Sequence, residues 1–366
     1  MATHRKKRII VICIKTFGDS VLNLPFIKYL MTHDGGAEVT VITGGKGAAI
    51  YRISGWDLNI IEVSQIRTLR GAFTLLRQLV RVIRPDVIYG IEPRFEAALL
   101  SVLLLGRQRV CFRQATDSKY IGPQGKVFAA HYPKWKEFLI RYVLATKTAV
   151  RHLDDLHECH RDFQLIPEAI QAGQLPPLRG IVSSRVRSED RTTRTVILVP
   201  FTAASIRNWP IERFVEVVDR LSAEVPDVRF VVVGDRGTQQ SQLLPFQGRD
   251  NVEIVLGQTS LTDLFRIIRE ADLVVSSDSF AVHVASCQDV PCVALFGPNL
   301  PIWFGAEGEG SVNLYHSLEC SPCLQPRGTT PCLRGFLLCP AMEQIEPEDV
   351  ANHAISILNP SHERAR

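Results

Sequence analysis

Arg8–Ile14 (RIIVICI) is an apolar run dominated by β-branched residues, the pattern of a strand buried on both faces. Ser20–Met31 follows with apolar residues at helical spacing, and Glu38–Ile42 and Leu58–Val63 read as two further strands. Leu69–Ile83 is an amphipathic helical stretch that stops at Pro85. Asp86–Ile91 reads as a strand, Phe95–Leu105 as a helix and Arg109–Phe112 as a short strand. Residues 114–172 break this rhythm. His131, Tyr132, Lys134, Trp135 and Lys136 bring aromatic and basic residues together there, and Glu137–Asp155 reads as a helix.

The composition changes from Gly173 to Arg194, where Pro177, Ser183, Ser184 and five arginines (Arg179, Arg185, Arg187, Arg191 and Arg194) sit among few large apolar residues. That is the signature of an interdomain linker. The alternation then restarts. Thr195–Val199, Val228–Val233, Val252–Val255, Leu273–Val275 and Cys292–Phe296 read as strands, and Ile211–Ala223, Leu261–Ala271 and Ser279–Gln288 as helices. The expected organisation is a first domain at 1–175, a linker at 176–193 and a second domain at 194–366. Strand–helix alternation in each half predicts an α/β protein of two Rossmann-like domains, their parallel sheets facing a central cleft. Ligands of such sheets bind beyond the carboxyl ends of the strands.

At 366 residues, with 46% hydrophobic and 22% charged residues, the chain has globular composition, which excludes disorder and fibrous repeats. Its 42 Lys+Arg against 38 Asp+Glu leave a net charge of +4, too mild to argue for nucleic acid. The longest apolar stretch, Ala97–Leu105, is nine residues and contains Ser101, far short of a membrane span. The amino-terminal segment has neither a signal-peptide core nor a small-residue cleavage site, so a cytoplasmic location is expected. Nine scattered cysteines do not resemble a secreted disulfide scaffold.

Three segments carry candidate chemistry, each leaving a strand's carboxyl end. After the first strand comes Lys15-Thr16-Phe17-Gly18-Asp19. With a single glycine it is neither a dinucleotide fingerprint nor a Walker A loop. Taken alone, the segment favours Asp19 as a helix cap over a carboxylate at the cleft that takes a proton. Pro200–Pro210 (PFTAASIRNWP) offers Thr202, Ser205 and Arg207, hydroxyls and a guanidinium able to hold phosphate oxygens, although an ordinary loop fits as well. Ser276–His283 (SSDSFAVH) runs from strand to helix. There the backbone N–H groups after Asp278 and Ser279 favour an anion, and His283 lies one helical turn on.

In order and spacing these segments resemble glycosyltransferase family 9, the ADP-heptose:lipopolysaccharide heptosyltransferases. The likeness runs from Gly18-Asp19 and Pro25 through Arg207-Asn208-Trp209-Pro210, Arg213-Phe214 and Val233-Gly234. It continues through Gly257–Leu261, Ala271–Val275, Asp278-Ser279, His283 and Pro291–Pro298. The resemblance implies a GT-B fold and an inverting, metal-independent transfer of a heptose-like sugar from an ADP-sugar to an acceptor hydroxyl. It implies Asp19 as catalytic base, and Thr202, Ser205, Arg207, Asp278, Ser279 and His283 on the donor, in lipopolysaccharide core or related glycan synthesis. No cofactor is then required for catalysis; no Asp-x-Asp metal motif is present, so cationic and N–H donors must stabilise the leaving diphosphate. The sequence departs from the family at Phe280, where glycine is common, and at Arg207, where lysine is usual. A catalytically degenerate nucleotide-sugar-binding or scaffold protein is the alternative that Phe280 motivates, and a protein acceptor is another.

Cys320, Cys323, Cys332 and Cys339 form C-x2-C-x8-C-x6-C, a set able to hold a structural zinc or iron or to remain reduced thiols. The other five cysteines, Cys13, Cys111, Cys159, Cys287 and Cys292, fall on apolar elements and read as core. Only Arg327 and Arg334 are basic around the cysteine segment, so no nucleic-acid partner is expected. Lys126, Lys134, Lys136 and Arg141 are candidate contacts to an acidic glycolipid acceptor, Lys134 and Lys136 foremost. The basic run Arg5–Arg8 suits either a solvated tail or peripheral contact with the inner membrane.

Overall fold

The computed structural model describes residues 5–14, 17–63, 69–92, 95–113, 119–121, 127–129, 134–150, 155–186, 192–234, 240–323, 332 and 334–359. Lys15, Thr16, Lys126, His131, Tyr132, Arg187, Arg191 and Arg327 lie outside them. The chain divides into two compact units, Met1–Pro177 and Leu178–Arg366.

In the first unit the strands are β1 (Lys7–Cys13), β2 (Ala37–Thr43), β3 (Asn59–Glu62), β4 (Val87–Gly90), β5 (Gln108–Arg113), β6 (Lys119–Ile121), β7 (Val127–Ala129) and β8 (Lys147–Val150). Six of them form one sheet in the order β3-β2-β1-β4-β5-β8, with every pair parallel. β6 and β7 pair antiparallel on their own. Ile9, Ile10, Val11, Ile12 and Cys13 are all buried, because helices cover both faces of a parallel sheet, and only the first two residues of β1 reach water. The second unit repeats the plan with β9 (Arg194–Val199), β10 (Val228–Gly234), β11 (Val252–Leu256), β12 (Leu273–Ser277), β13 (Cys292–Phe296) and β14 (Val312–Tyr315). Their order is β11-β10-β9-β12-β13-β14, again wholly parallel. Each unit thus has the Rossmann strand order expected from the alternation. Its topological switch point falls between β1 and β4 in the first unit and between β9 and β12 in the second.

Three local readings need correction. Ser20–Met31 is two helices, Phe17–Leu22 and Leu24–Thr32, because Pro25 has no N–H to continue the ladder across Asn23. Glu137–Asp155 is not a helix throughout. A six-residue helix Lys134–Leu139 widens into the π-helical turn Ile140–Leu144, and the run that follows becomes β8. The open edge of β5 captures that run: Thr146 N–H donates to the Arg109 carbonyl at 2.9 Å, and Arg109 N–H to Thr146 Oγ1 at 2.7 Å. Gly45–Ile53, unremarked in the sequence because of its glycines, is a helix. A side chain at Gly47 would put its Cβ 2.2 Å from Thr43 Oγ1 and 2.9 Å from Ser20 Oγ, so glycine lets this helix close on the end of β2 and on the helix carrying Asp19.

Residues 178–186 are tied to the second unit. Gly180 N–H donates to the Ser286 carbonyl at 3.0 Å and Val182 N–H to that of Cys287 at 3.1 Å. Arg179 pairs with Asp289 and Glu309, and Arg185 with Asp272. The carboxy-terminal helix Pro347–Leu358, which the sequence reading left unassigned, buries Val350, Ala351, Ala354 and Leu358. Among the described residues no helix is long and apolar enough to cross a membrane.

Gly47→Ala is expected to destabilise the protein by about 1–3 kcal/mol through overpacking, read as a lower denaturation midpoint. Adding Thr43→Ala should recover part of the loss; an unchanged midpoint in Gly47→Ala would refute the close-approach account.

Candidate functional site

Polar side chains gather where the strands flanking each switch point end. In the first unit, β1 gives way within four residues to the helix Phe17–Leu22, and Asp19 stands half-buried in its first turn rather than at its cap. Ser20, Val21 and Leu22 are buried behind it, which fixes the helix from beneath. Below, the Cys13 thiol lies 3.0 Å from the Tyr51 hydroxyl, and burial pushes the Tyr51 phenol well above its ordinary range. Lys46, on the helix after β2, holds its ammonium 5.3 Å from the centre of the Phe17 ring, two residues before Asp19. The sequence reading passed over Lys46, since only the return of the chain after β2 brings it there. Glu92, just beyond β4, is a further carboxyl residue at this switch point, and it is buried.

In the second unit the loop Pro200–Pro210 is held from three sides. Thr202 N–H donates to Asn208 Oδ1 at 2.8 Å, and the Thr202 hydroxyl donates to the Ala204 carbonyl at 2.7 Å. Trp209 is sealed in the core, its N–H donating to Ser277 Oγ at 3.2 Å and its indole N–H to the Ile345 carbonyl at 3.2 Å. The Trp209 ring meets Phe214 edge-on at 5.0 Å between centroids. The loop is therefore clamped between the end of β12 and the segment preceding the last helix. Within it Ser205 is exposed, while Thr202 and Arg207 are half-buried.

Arg207 reaches the loop after β12, where its Nη1 lies 3.5 Å from Asp278 Oδ2. Asn299, just past β13, donates its amide N–H to the same oxygen at 2.5 Å. Burial raises the Asp278 carboxyl above its usual range, with Arg207 and Asn299 pulling the other way. Ser279 caps the helix Phe280–Cys287, its Oγ accepting from Ala281 N–H at 3.2 Å and lying 2.9 Å from Ser276 Oγ. His283 is buried one turn on, and Phe280 packs toward Phe265 at 6.2 Å between ring centroids. Arg207, Asp278 and Ser279 thus converge, although far apart in sequence. Asn299, Asn208 and Trp209 complete the arrangement. Asn299 was missed by sequence reasoning; its only signal was a polar residue closely following another buried strand. Chemically, Asp19 supplies a carboxylate, and the second unit supplies a cation beside the start of a helix, a combination suited to an anion.

Lys134 is exposed and Lys136 half-buried, with the Lys136 ammonium 5.5 Å from the Trp135 ring centre. Of the carboxy-terminal cysteines, Cys320, Cys323 and Cys332 are half-buried and Cys339 is buried. Burial raises the Cys339 thiol first, and the charges of Cys320 and Cys332 add to the shift; among the described residues no three of the four sulfurs lie within 4.8 Å of one another. The Cys323 thiol donates to the Cys320 carbonyl at 3.1 Å. The other five cysteines are buried, in keeping with core residues, and burial pushes the Cys111 thiol up to about 11.

Comparison with known proteins gives the family. The sequence model of Glycosyltransferase family 9 (heptosyltransferase) matches residues 75–333. Lipopolysaccharide heptosyltransferase 1 of Pseudomonas aeruginosa is 26% identical over 172 residues, which is 46% of this chain and 48% of that protein. The matched part is thus about half the length of that curated relative. Among solved structures, the ADP-heptose lps heptosyltransferase II of E. coli aligns over 97% of this chain and 99% of that one, with a TM-score of 0.66 at 16% identity. The iron-containing dodecameric glycosyltransferase TibC of enterotoxigenic E. coli aligns over 99% of this chain and 77% of that one, with a TM-score of 0.54 at 13% identity. These likenesses support the two-domain α/β fold, and with the family match over residues 75–333 the chain belongs to glycosyltransferase family 9, the heptosyltransferases.

Proposed function

We propose that this protein transfers a heptose from an ADP-heptose-like donor to a hydroxyl of an acceptor glycan, in lipopolysaccharide core or related glycan synthesis. One observation carries the reading: polar side chains are concentrated at the two switch points, with a half-buried carboxylate at one and a guanidinium beside a helix start at the other. The donor's diphosphate is held by Arg207, by the N–H groups at the start of Phe280–Cys287, and by Thr202 and Ser205. Asp278 and Asn299 orient Arg207, and His283 faces the same ligand. Asp19 takes the proton of the acceptor hydroxyl as its oxygen bonds to the sugar's anomeric carbon. The bond from that carbon to the diphosphate oxygen breaks, and ADP leaves carrying the electron pair. Attack opposite the leaving group inverts the anomeric centre in a single displacement. Cationic and N–H donors stabilise the charge that grows on the diphosphate, so the transfer step calls for no metal.

The acceptor is a glycolipid or related glycan at the inner face of the membrane, reached from the cytoplasm, with Lys134 and Lys136 meeting its acidic groups. Nucleic acid has no part in it. Cys320, Cys323, Cys332 and Cys339 hold a structural zinc or iron; four soft sulfur donors spaced C-x2-C-x8-C-x6-C suit such an ion, and the structurally similar TibC is an iron-containing glycosyltransferase. The metal cross-links the segment after β14 and takes no part in the transfer.

Asp19→Asn should lower turnover by about 10²–10⁴-fold, the range of a lost general base, while calorimetric affinity for ADP stays nearly unchanged. Full turnover in that variant would remove Asp19 from the mechanism. Arg207→Ala should weaken ADP binding by about 10–100-fold, as expected for a lost charge-assisted hydrogen bond, and Arg207→Lys should restore part of it. Unaltered ADP affinity in both would remove Arg207 from the donor site. Protein purified anaerobically should contain about one zinc or iron per chain, as a closed four-thiolate site requires. Cys320→Ser/Cys323→Ser should lose the metal and melt earlier. Metal-free wild-type protein with the same midpoint as that variant would rule the site out.

A further inference from the structure

The helical segment Lys134–Leu144 is apolar on two opposite sides. One side is explained by the fold: Ile140 and Leu144 are buried and, with half-buried Leu139, pack on Ala98 and Cys111. The other is not. Trp135 is 58% exposed, Phe138 58%, Tyr142 62% and Val143 56%, all within nine residues of one surface element. Positions 135, 138 and 142 are spaced three and four apart, which aligns their side chains along one stripe of the helix. Phe138 and Tyr142 touch at 5.0 Å between ring centroids. The patch continues onto the neighbouring helix Phe95–Leu103, where Phe95 meets Trp135 at 5.8 Å and Leu99 and Leu103 are exposed. Contiguous exposed aromatic and aliphatic surface of this kind marks an interaction site.

The charges flanking the stripe identify the partner. Lys134 and Arg141 are exposed and Lys136 is half-buried, and the one acid on the segment is Glu137. The Lys136 ammonium lies 5.5 Å from the Trp135 ring centre, and the Arg141 guanidinium 5.0 Å from that of Tyr142. Cations are thus held beside the aromatic rings, an arrangement that places a ring at headgroup depth and a positive charge against phosphate. Such a face complements an anionic bilayer better than a protein surface, which would have to desolvate three cations. We propose that Lys134–Leu144, together with Leu99 and Leu103, is the surface by which this protein docks on an anionic lipid bilayer. Trp135, Phe138 and Tyr142 insert at the headgroup boundary, and Lys134, Lys136 and Arg141 pair with lipid phosphates. This locates the membrane contact elsewhere than the basic run at Arg5–Arg8. It rests on the acceptor being met at a membrane, but binding can be measured without transfer.

The test is co-sedimentation of the full chain with vesicles of phosphatidylethanolamine and phosphatidylglycerol, against phosphatidylcholine alone. Binding is expected to the anionic vesicles, weaker in high salt, with Trp135 quenched by brominated acyl chains. Trp135→Ser/Phe138→Ser/Tyr142→Ser should lower partitioning by at least about tenfold, in line with the loss of buried apolar area. Lys134→Gln/Lys136→Gln/Arg141→Gln should lower it by roughly fivefold per charge removed. These residues are exposed or half-buried, so both variants should keep the wild-type melting midpoint and ADP affinity. Equal sedimentation of wild type and triple-serine variant would overturn the proposal. So would wild-type protein that ignores vesicles but self-associates through this face, seen as dissociation by the same substitutions in sedimentation velocity. Failure of transfer to a soluble acceptor fragment would count against the proposed reaction and leave the docking result standing.

Discussion

The governing constraint is that the two central strands of each unit are buried on both faces. A strand such as β1, sealed from Ile9 to Cys13, has no room for a functional group along its length. Chemistry is therefore displaced to the carboxyl ends, and the reversal of strand order at β1/β4 and β9/β12 parts the connecting loops there. Asp19, Glu92, Arg207, Asp278 and Ser279 all occupy such positions. The apolar core and the location of the polar site are two consequences of the same packing.

Within the second unit the guanidinium of Arg207 and the carboxylate of Asp278 are mutually dependent. An ionised Asp278 in its buried position is unfavourable, as its raised pKa records, and the nearby cation and the Asn299 amide offset part of that cost. In return the Arg207 side chain is held by its pairing with Asp278. Trp209 gives this pair a rigid base, since its backbone and indole N–H groups join the end of β12 to Ile345. Phe280, at the first position of the neighbouring helix, leans toward Phe265 and leaves the serine cap intact, so its bulk does not disturb the helix start.

The cysteine segment and the aromatic stripe lie apart from these loops in the chain and answer to different physics. The four cysteines follow β14, and Cys339 is buried just before the helix Pro340–Glu343. The stripe on Lys134–Leu144 does not come from the hydrophobic core, which already uses the opposite side of that segment.

Strand–helix alternation was legible from the sequence because strand and helix periods differ and each apolar run is bounded by turn residues. The polar segments at Asp19, Thr202–Arg207 and Asp278–His283 were legible for the same reason, since each interrupts the pattern just after a strand. What the sequence could not display were choices made by neighbours. Glycine lowers helix propensity, yet Gly45–Ile53 is helical because only a residue without Cβ fits against Thr43 and Ser20. Residues 147–150 became a strand because β5 had an open edge. Asn299 became a partner of Asp278 because β12 and β13 end side by side. Local pattern alone determined the elements and where polar residues interrupt them, since those depend on periodicity along the chain. Only the tertiary structure decided which interruptions meet, because that depends on strand order, and strand order is fixed by long-range pairing that no local run of residues encodes.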